Sequence, residues 1–542
     1  MKRKKSLLIT MALLMVAAIL LSGCVKTGDV PGGTGDGGAT RGSTGTKVDT
    51  AFPLMEAARI KVITPLRNGV VDHSEMRFFQ ELEQKTNVLV EWEHYLTSAW
   101  PENKSLIFAS NMLPDAFAGQ NCFSAAEIVN YGAQGYFVPL EDMIDDYAPN
   151  VAKIFNERPD FAKELTTPDG HIYSLFIFNE NKHIAPDTLC INNEWLTKLG
   201  LSIPTTTDEF YNVLKAFKDG DPNENGKPDE LPFVFRHNVT VGGLFSMFGS
   251  FGILDSGSHL TVRDGKVLYA AIEPEYRQGI TYFSKLFQEG LADPESLTHS
   301  SNVYSSKTRI NDKSKRVAGA FLNYNLLNAF NGDPDNGYVV VPPLAGPDGT
   351  RLWRIIPPEI ERAAAFAISS STANKEIILA WIDQTYDEKT SFEIKQGFID
   401  TRMTVNADGK YEYLKAPEGL DELTWRYEGI NSQFTYCLWK RWTDKLVKDD
   451  LATFQDYQDE TYLPFKGNFV NFSPLFTTEE ESDEIAMIDT DLKNYVNDTI
   501  ASWLLKGGAE DDSQWNAYIK KCEEMGVRRL IELQQKVYDR LK

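Results

Sequence analysis

Two periodicities of apolar residues alternate along the chain from Ile60 onward. Ile60–Ile63 and Val88–Trp92 are short runs rich in β-branched and aromatic residues, which predicts strands. Between them Met76, Phe79 and Leu82 recur at helical spacing, with Asp72 and Glu75 placed as a capping box. Ala116–Ala118 reads as a third strand after the turn Leu113-Pro114-Asp115. This alternation predicts βαβ units on a largely parallel sheet, an α/β fold.

The clearest helix begins at Thr206. Thr206 and Glu209 have the spacing of a capping box, and Phe210, Val213, Leu214 and Phe217 form one apolar face. A second helix runs from Pro274, suited to a first helical position, to a C-terminal stop at Gly290, with Tyr276, Ile280, Phe283 and Phe287 facing the core. Residues 338–342 and 364–368 read as buried strands, the latter followed by a helix through Ile377, Ile378 and Trp381. The last sixty or so residues are expected to be helical, with a cap at Thr478 and Glu481, Gly526 between two final helices, and no internal repeat along the chain.

The N-terminus has a different pattern. Lys2, Arg3, Lys4 and Lys5 precede an apolar stretch from Leu7 to Leu21 that is short for a permanent span and has the flanks of a secretory signal. Its ending, Leu21-Ser22-Gly23-Cys24, resembles a bacterial lipobox, in which the cysteine thiol takes a diacylglycerol and becomes the mature N-terminus. Residues 1–23 are thus expected to be a lipoprotein signal, and Cys24 the lipidated residue. The Gly-, Thr- and Asp-rich tract behind it has too little apolar surface to pack and reads as a flexible tether. Gly33, Gly35 and Gly38 match a dinucleotide fingerprint by spacing alone, with neither a strand before nor a helix after. The chain is therefore expected to be exported and held at the outer face of the bacterial cytoplasmic membrane by its lipid.

A formal charge of −22 makes binding to nucleic-acid backbones or anionic membrane faces unfavourable. Five cysteines without a C-x-x-C pair exclude a disulfide scaffold. No H-E-x-x-H, G-x-S-x-G or P-loop pattern occurs in the mature chain. A carboxylate pair for glycoside hydrolysis leaves no local pattern by which to judge it.

One motif carries specific chemistry. Residues 221–230, DPNENGKPDE, place Asp221, Asn223 and Asn225 at alternate positions before Gly226, the opening of a calcium loop. A hard cation needs six to eight oxygens, and the Lys227 carbonyl with the carboxylates of Asp229 and Glu230 would complete the shell. Pro232 stands where an EF-hand has its final glutamate, so Glu230 must supply the bidentate contact. The bland alternative is an Asx-rich turn.

The run Asn192–Phe233 resembles the family 1 extracellular solute-binding proteins, and within them the lipoproteins of oligosaccharide ABC importers. The alginate-oligosaccharide-binding members carry a similar calcium loop after the same helix. Gly170–Tyr173, Pro274–Asp293, Val341–Gly346 and the stretch from Thr490 through Trp503 and Trp515 to Arg540 are also similar to the family. The resemblance implies a two-lobed, type II periplasmic-binding-protein-like α/β fold with the ligand cleft between lobes. By that analogy residues 24–56 are tether, 57–185 with 357–415 form lobe 1, and 186–356 with 416–542 form lobe 2, which carries the structural Ca2+. It also implies a monomer that is not an enzyme, closes by hinge motion on an oligosaccharide and delivers it to ABC permease subunits.

Cleft residues in this family lie after strands and at crossovers. The corresponding positions here are Arg67, Asn68, Gln120, Asn121, Arg236, His237, Asn238, Asn323, Tyr324 and Trp353. Amides and guanidinium groups suit sugar hydroxyls, and Tyr and Trp rings suit their C–H faces. Two other readings remain open: a secreted glycoside hydrolase or lyase with an unrecognised Asp/Glu pair, and a peptide receptor, which would need charged clamps for the termini.

Overall fold

The computed structural model describes residues 47–541, apart from 67–70, 120–121, 182, 238, 331–332, 334, 421–424, 427, 431–433 and 473–475. Cys24 and the tether up to residue 46, Arg67, Asn68, Gln120, Asn121 and Asn238 therefore lie outside the described residues. Met1–Val48 separates as a unit of its own, and Asp49–Lys542 form the other.

The strands, in chain order, are β1 (Ala58–Leu66), β2 (Val88–Leu96), β3 (Ala116–Ala118), β4 (Leu175–Asn179), β5 (Thr188–Asn192), β6 (Leu231–Val234), β7 (Leu260–Arg263) and β8 (Lys266–Tyr269). They continue with β9 (Ala318–Asn323), β10 (Tyr338–Val341), β11 (Ile360–Ile368), β12 (Met403–Val405), β13 (Tyr411–Tyr413), β14 (Tyr436–Leu438) and β15 (Phe469–Asn471). One sheet has the order β14-β4-β11-β3-β1-β2 and another β10-β5-β9-β6, while β15-β7-β8 and β12-β13 form two small sheets.

Each large sheet has its own core. Ile60, Val62 and Ile63 are all buried, so β1 is covered on both faces, as parallel strands sandwiched between helices must be. They belong to a cluster with Phe79, Leu82, Phe117, Trp381 and Tyr436. The second cluster gathers Phe210, Val213, Leu214 and Phe217 of the helix Thr207–Asp219 against β6 and β9. Here the apolar spacing holds at every position. Gly319 lets β9 approach that helix, since a Cβ there would stand 2.4 Å from the Phe217 ring.

The chain crosses between the two cores at three places near the strand ends, and beyond them Phe476 returns to the first core between Phe472 and Leu492 of the second. The first crossing is over residues 180–187 between β4 and β5, the second over 342–359 between β10 and β11, and the third over 447–449 after β14, since Trp439 and Leu446 still belong to the first core. The third passage was expected near 415. It comes later because Tyr436–Leu438 is a strand, parallel to β4 with Tyr436 opposite Ile177, and keeps the chain in the first sheet. Within 416–542, expected in lobe 2, Ile430, Phe434, Tyr436–Leu438, Trp439 and Leu446 therefore belong to the first core instead.

Local signals fare unevenly. Thr478 and Glu481 form the full reciprocal cap of the helix Glu479–Lys506. At Thr206 only half the box forms, because the Glu209 carboxylate turns to the Thr205 N–H and hydroxyl. Asp72 caps a single 3-10 turn, His73–Glu75, through Ser74, and the α-helix Arg77–Thr86 starts afterwards without a side-chain cap. Cys122, Cys190, Cys437 and Cys522 are free and buried. Among the described residues no helix is long and apolar enough to cross a membrane.

Candidate functional site

Strand direction fixes where loops gather. In the first sheet β1, β2, β3, β4 and β14 run parallel and β11 runs against them, so their C-terminal ends share one edge with the start of β11. In the second, β6 and β9 run parallel and β5 antiparallel to β9 and β10, so Val234, Asn323, Val341 and Thr188 share an edge. All three crossovers leave from and arrive at these two edges. Ligands of open α/β sheets bind outside the carboxyl ends of strands. A cavity of about 490 Å³ lies there, lined by Glu180 of the first crossover, Pro358 of the second, Lys448 of the third, Lys440 just after β14, and Asp456 and Asp459 of the helix Asp450–Tyr462.

Beside it stands Tyr324, just past the end of β9. Its half-buried ring meets the His183 ring edge to face at 5.0 Å, and its carbonyl accepts from the Thr188 hydroxyl at 3.3 Å. His183 Nδ1 lies 2.6 Å from Asp459 Oδ1, and that carboxylate also accepts the N–H groups of Ile184 and Ala185. Burial, and then the negative charges of Asp459 and Glu361, push the Tyr324 phenol up to about 12. Asn323 is buried; its Oδ1 accepts the Tyr324 N–H, while its Nδ2 has no partner among the described residues. Such a donor is poised for a ligand oxygen.

Arg236 and His237 follow β6. Arg236 donates to Ser301 Oγ at 2.8 Å and packs over the Tyr304 ring, and its buried Nε has no partner among the described residues. Burial, and then the nearby His259, hold His237 down at about 4, so it is a neutral ring whose Nε2 has no partner among the described residues. Trp353 is not a cleft residue. It is 1% exposed, stacks on Tyr462 at 4.6 Å and donates its indole N–H to the Asp187 carbonyl. The reason lies in its neighbour: Arg354 pairs with the fully buried Asp187 at 3.0 Å, which draws the second crossover into the core of the second lobe.

Residues missed by sequence reasoning are those that long-range folding brings in: His183, Asp459, Gln458 and the Asp187–Arg354 pair. Gln458 donates to the Thr188 hydroxyl, and no spacing pattern links these positions.

The loop 221–230 folds inward on its own side chains. Asp221, Glu224 and Gly226 adopt positive φ of 45°, 58° and 70°. Asp221 accepts the N–H groups of Asn225 and Gly226, Asn223 Oδ1 accepts Asn225 N–H, and Asn225 Oδ1 accepts Lys227 N–H. The amides of Asn223 and Asn225 donate to Asp229. Glu230 Oε1 is buried without a partner among the described residues, and burial, then Asp229 and Asp221, raise that carboxyl above its usual range. A buried carboxylate without a donor is costly, and a cation relieves it, so the donor set fits a hard cation. No group of three or more His, Cys, Asp or Glu placed to hold a metal occurs among the described residues; two donors of this loop are amides.

No protein-family model matches the chain. It is 32% identical over 508 residues to the fructooligosaccharide ABC transporter substrate-binding protein FusA of Streptococcus pneumoniae, covering 90% of this chain and 91% of FusA. The solved structure of a FusA EF-hand mutant in complex with fructo-nystose superposes with a TM-score of 0.72 at 30% identity, over 89% of this chain and 99% of that one. A solute-binding protein described as HMO-binding and ABC-transporter-associated, from Bifidobacterium longum infantis, superposes with a TM-score of 0.76 at 25% identity over 89% and 99%. The polygalacturonan/rhamnogalacturonan-binding protein YtcQ of Bacillus subtilis is 24% identical over 500 residues, covering 86% of this chain and 89% of YtcQ. Two sheets with separate cores, three crossovers on their facing edges and this kinship along nearly the whole length lead to one assignment: the chain belongs to the extracellular solute-binding proteins of ABC transporters.

Proposed function

We propose that the protein is a non-catalytic receptor that captures an oligosaccharide between its two lobes and delivers it to the permease of an ABC importer. The observation that carries this reading is the gathering of all three crossovers at a cavity on the strand ends, the arrangement a hinge-closing receptor needs. Kinship with FusA, a fructooligosaccharide-binding protein, supports the ligand class. Incubation with a panel of oligosaccharides tests it. A receptor gains melting temperature with a particular glycan and leaves it intact, whereas release of reducing ends would make the protein an enzyme.

Two further features belong to this proposal. The loop 221–230 holds Ca2+ through Asp221, Asn223, Asn225, the Lys227 carbonyl, Asp229 and Glu230, and stiffens the lobe that carries β6; the buried, unpartnered Glu230 oxygen supports this. Cys24 carries a lipid that tethers the exported chain to the outer face of the membrane, as the Leu-Ser-Gly-Cys ending suggests. Cys24→Ala should then release the protein from the membrane fraction; retention of that variant would refute the anchor.

A further inference from the structure

Oligosaccharides come in neutral, acidic and cationic kinds, and the relatives of this chain include binding proteins for both fructooligosaccharide and polygalacturonan. We infer that this receptor takes an uncharged oligosaccharide and excludes uronate chains, because the cavity at its crossovers presents carboxylates and hydroxyl-binding amides while its cations are already engaged. This rests on the receptor proposal above.

Three cations reach the cavity: Arg426, Lys440 and Lys448. Lys448 is paired with Asp456, and Lys440 with Asp444 at 3.0 Å. The Arg426 guanidinium lies 3.6 Å over the Tyr413 ring and is the single lining cation without a carboxylate partner among the described residues. A uronate chain carries one negative charge per sugar, and each desolvated carboxylate needs a cationic or multiple-donor partner of its own. One guanidinium, whose face is taken by a ring, does not serve a row of them.

The carboxylates outnumber these cations. Glu180, Asp449, Asp456, Asp459 and Glu460 all line the cavity. A uronate would meet like charge at short range, which suppresses a wrong partner. The same groups do not make the cavity a trap for polycations. Asp456 has Lys448, Asp459 faces His183 and two backbone amides, Glu180 accepts the Lys440 N–H, and Asp449 caps the helix Asp450–Tyr462. Compensated carboxylates are still good acceptors for sugar hydroxyls. Asn181, Gln396 and Gln455 add groups that both donate and accept, and Gln396 Oε1 already receives the Tyr413 hydroxyl.

The test uses the soluble mature chain in calcium buffer and isothermal titration with five probes: nystose, lacto-N-tetraose, trigalacturonate, a trimer of mannuronate and a glucosamine trimer. Binding to a neutral probe, with both uronates at least a hundredfold weaker, is the expected result. The neutral Kd should also change less than twofold between 20 mM and 500 mM NaCl. A uronate or the glucosamine trimer binding more tightly than either neutral glycan would overturn the inference and leave the receptor proposal standing. Failure of all five, repeated across a wider glycan panel, would instead sink the receptor proposal. Asp456→Asn, at a half-exposed position, should fold normally and weaken the neutral probe at least tenfold; unchanged affinity would show that this cavity is not the site and remove the ground for the inference.

Discussion

His73 in the first lobe and His259 in the second are both essentially without solvent exposure, and their pKa values are moved in opposite directions. His73 stacks on Trp92 at 4.6 Å and its Nδ1 lies 2.9 Å from His94 Nε2. Burial, and then the His94 ring, drive it down to about 3, against a smaller pull from Asp72. His259 Nδ1 lies 2.9 Å from the buried Asp255 carboxylate, and Nε2 is 3.1 Å from Asn497 Oδ1. Burial is again the largest influence and opposes charge, as Lys493 does, but Asp255 and Asn497 outweigh it and the pKa is raised. Depth alone does not set the direction in which a buried histidine shifts. A carboxylate against the ring does, because Coulomb attraction grows as the dielectric falls. The lobes differ also in how they are pinned: the second holds the Asp187–Arg354 pair and the loop 221–230, the first neither.

The largest effect should come from the pin. Arg354→Met leaves the Asp187 carboxylate buried with only the Gly243 N–H and the Ser246 hydroxyl, and breaking such a pair from one side costs about 3–5 kcal/mol. Urea unfolding followed by hydrogen exchange should show the loss in the second lobe. Equal loss in both lobes would mean they unfold as one unit and that the comparison is of no energetic consequence.

Next comes metal removal. If the loop binds calcium, a hundredfold excess over Kd stabilises the fold by about 2.7 kcal/mol, so chelation should lower the melting temperature. Asp221→Ala should start at the lowered value and be indifferent to chelator. A wild type that does not respond to chelator would remove calcium from the second lobe.

The smallest effect sharpens the histidine contrast. His73 titrates at about 3 when folded and near 6.5 when unfolded, so the unfolded chain binds the extra proton between those values. Stability from the neutral ring is full above about 6.5 and drains as pH falls, by about 2 kcal/mol between pH 6.5 and 5. His259 has the reverse sign: its contribution is full below its unfolded pKa and is lost as pH rises through the raised folded one. Acid should thus loosen the first lobe, and His73→Phe should flatten that arm. An acid limb that survives the substitution unchanged would assign it to carboxylates such as Glu388, which Arg441 holds at about 2.

Sequence by itself determined what is local. The helix Thr207–Asp219 buries each of the four residues its spacing marked, because a 3.6-residue period can satisfy only one face. The Thr478 cap and the inward-turned Asx loop likewise need only neighbours within a few positions. Tertiary structure decided the rest. Tyr436–Leu438 is too short to announce itself as a strand, and only β4 gives its backbone partners. Trp353 could have faced the cleft by composition, but Arg354 seeking Asp187 turned it inward. The cavity joins residues of three crossovers with Asp456 and Asp459, and no spacing along the chain encodes that meeting. Sheet order is a contest among distant hydrogen-bond partners, settled only when the two cores close, and the binding edge exists only after that.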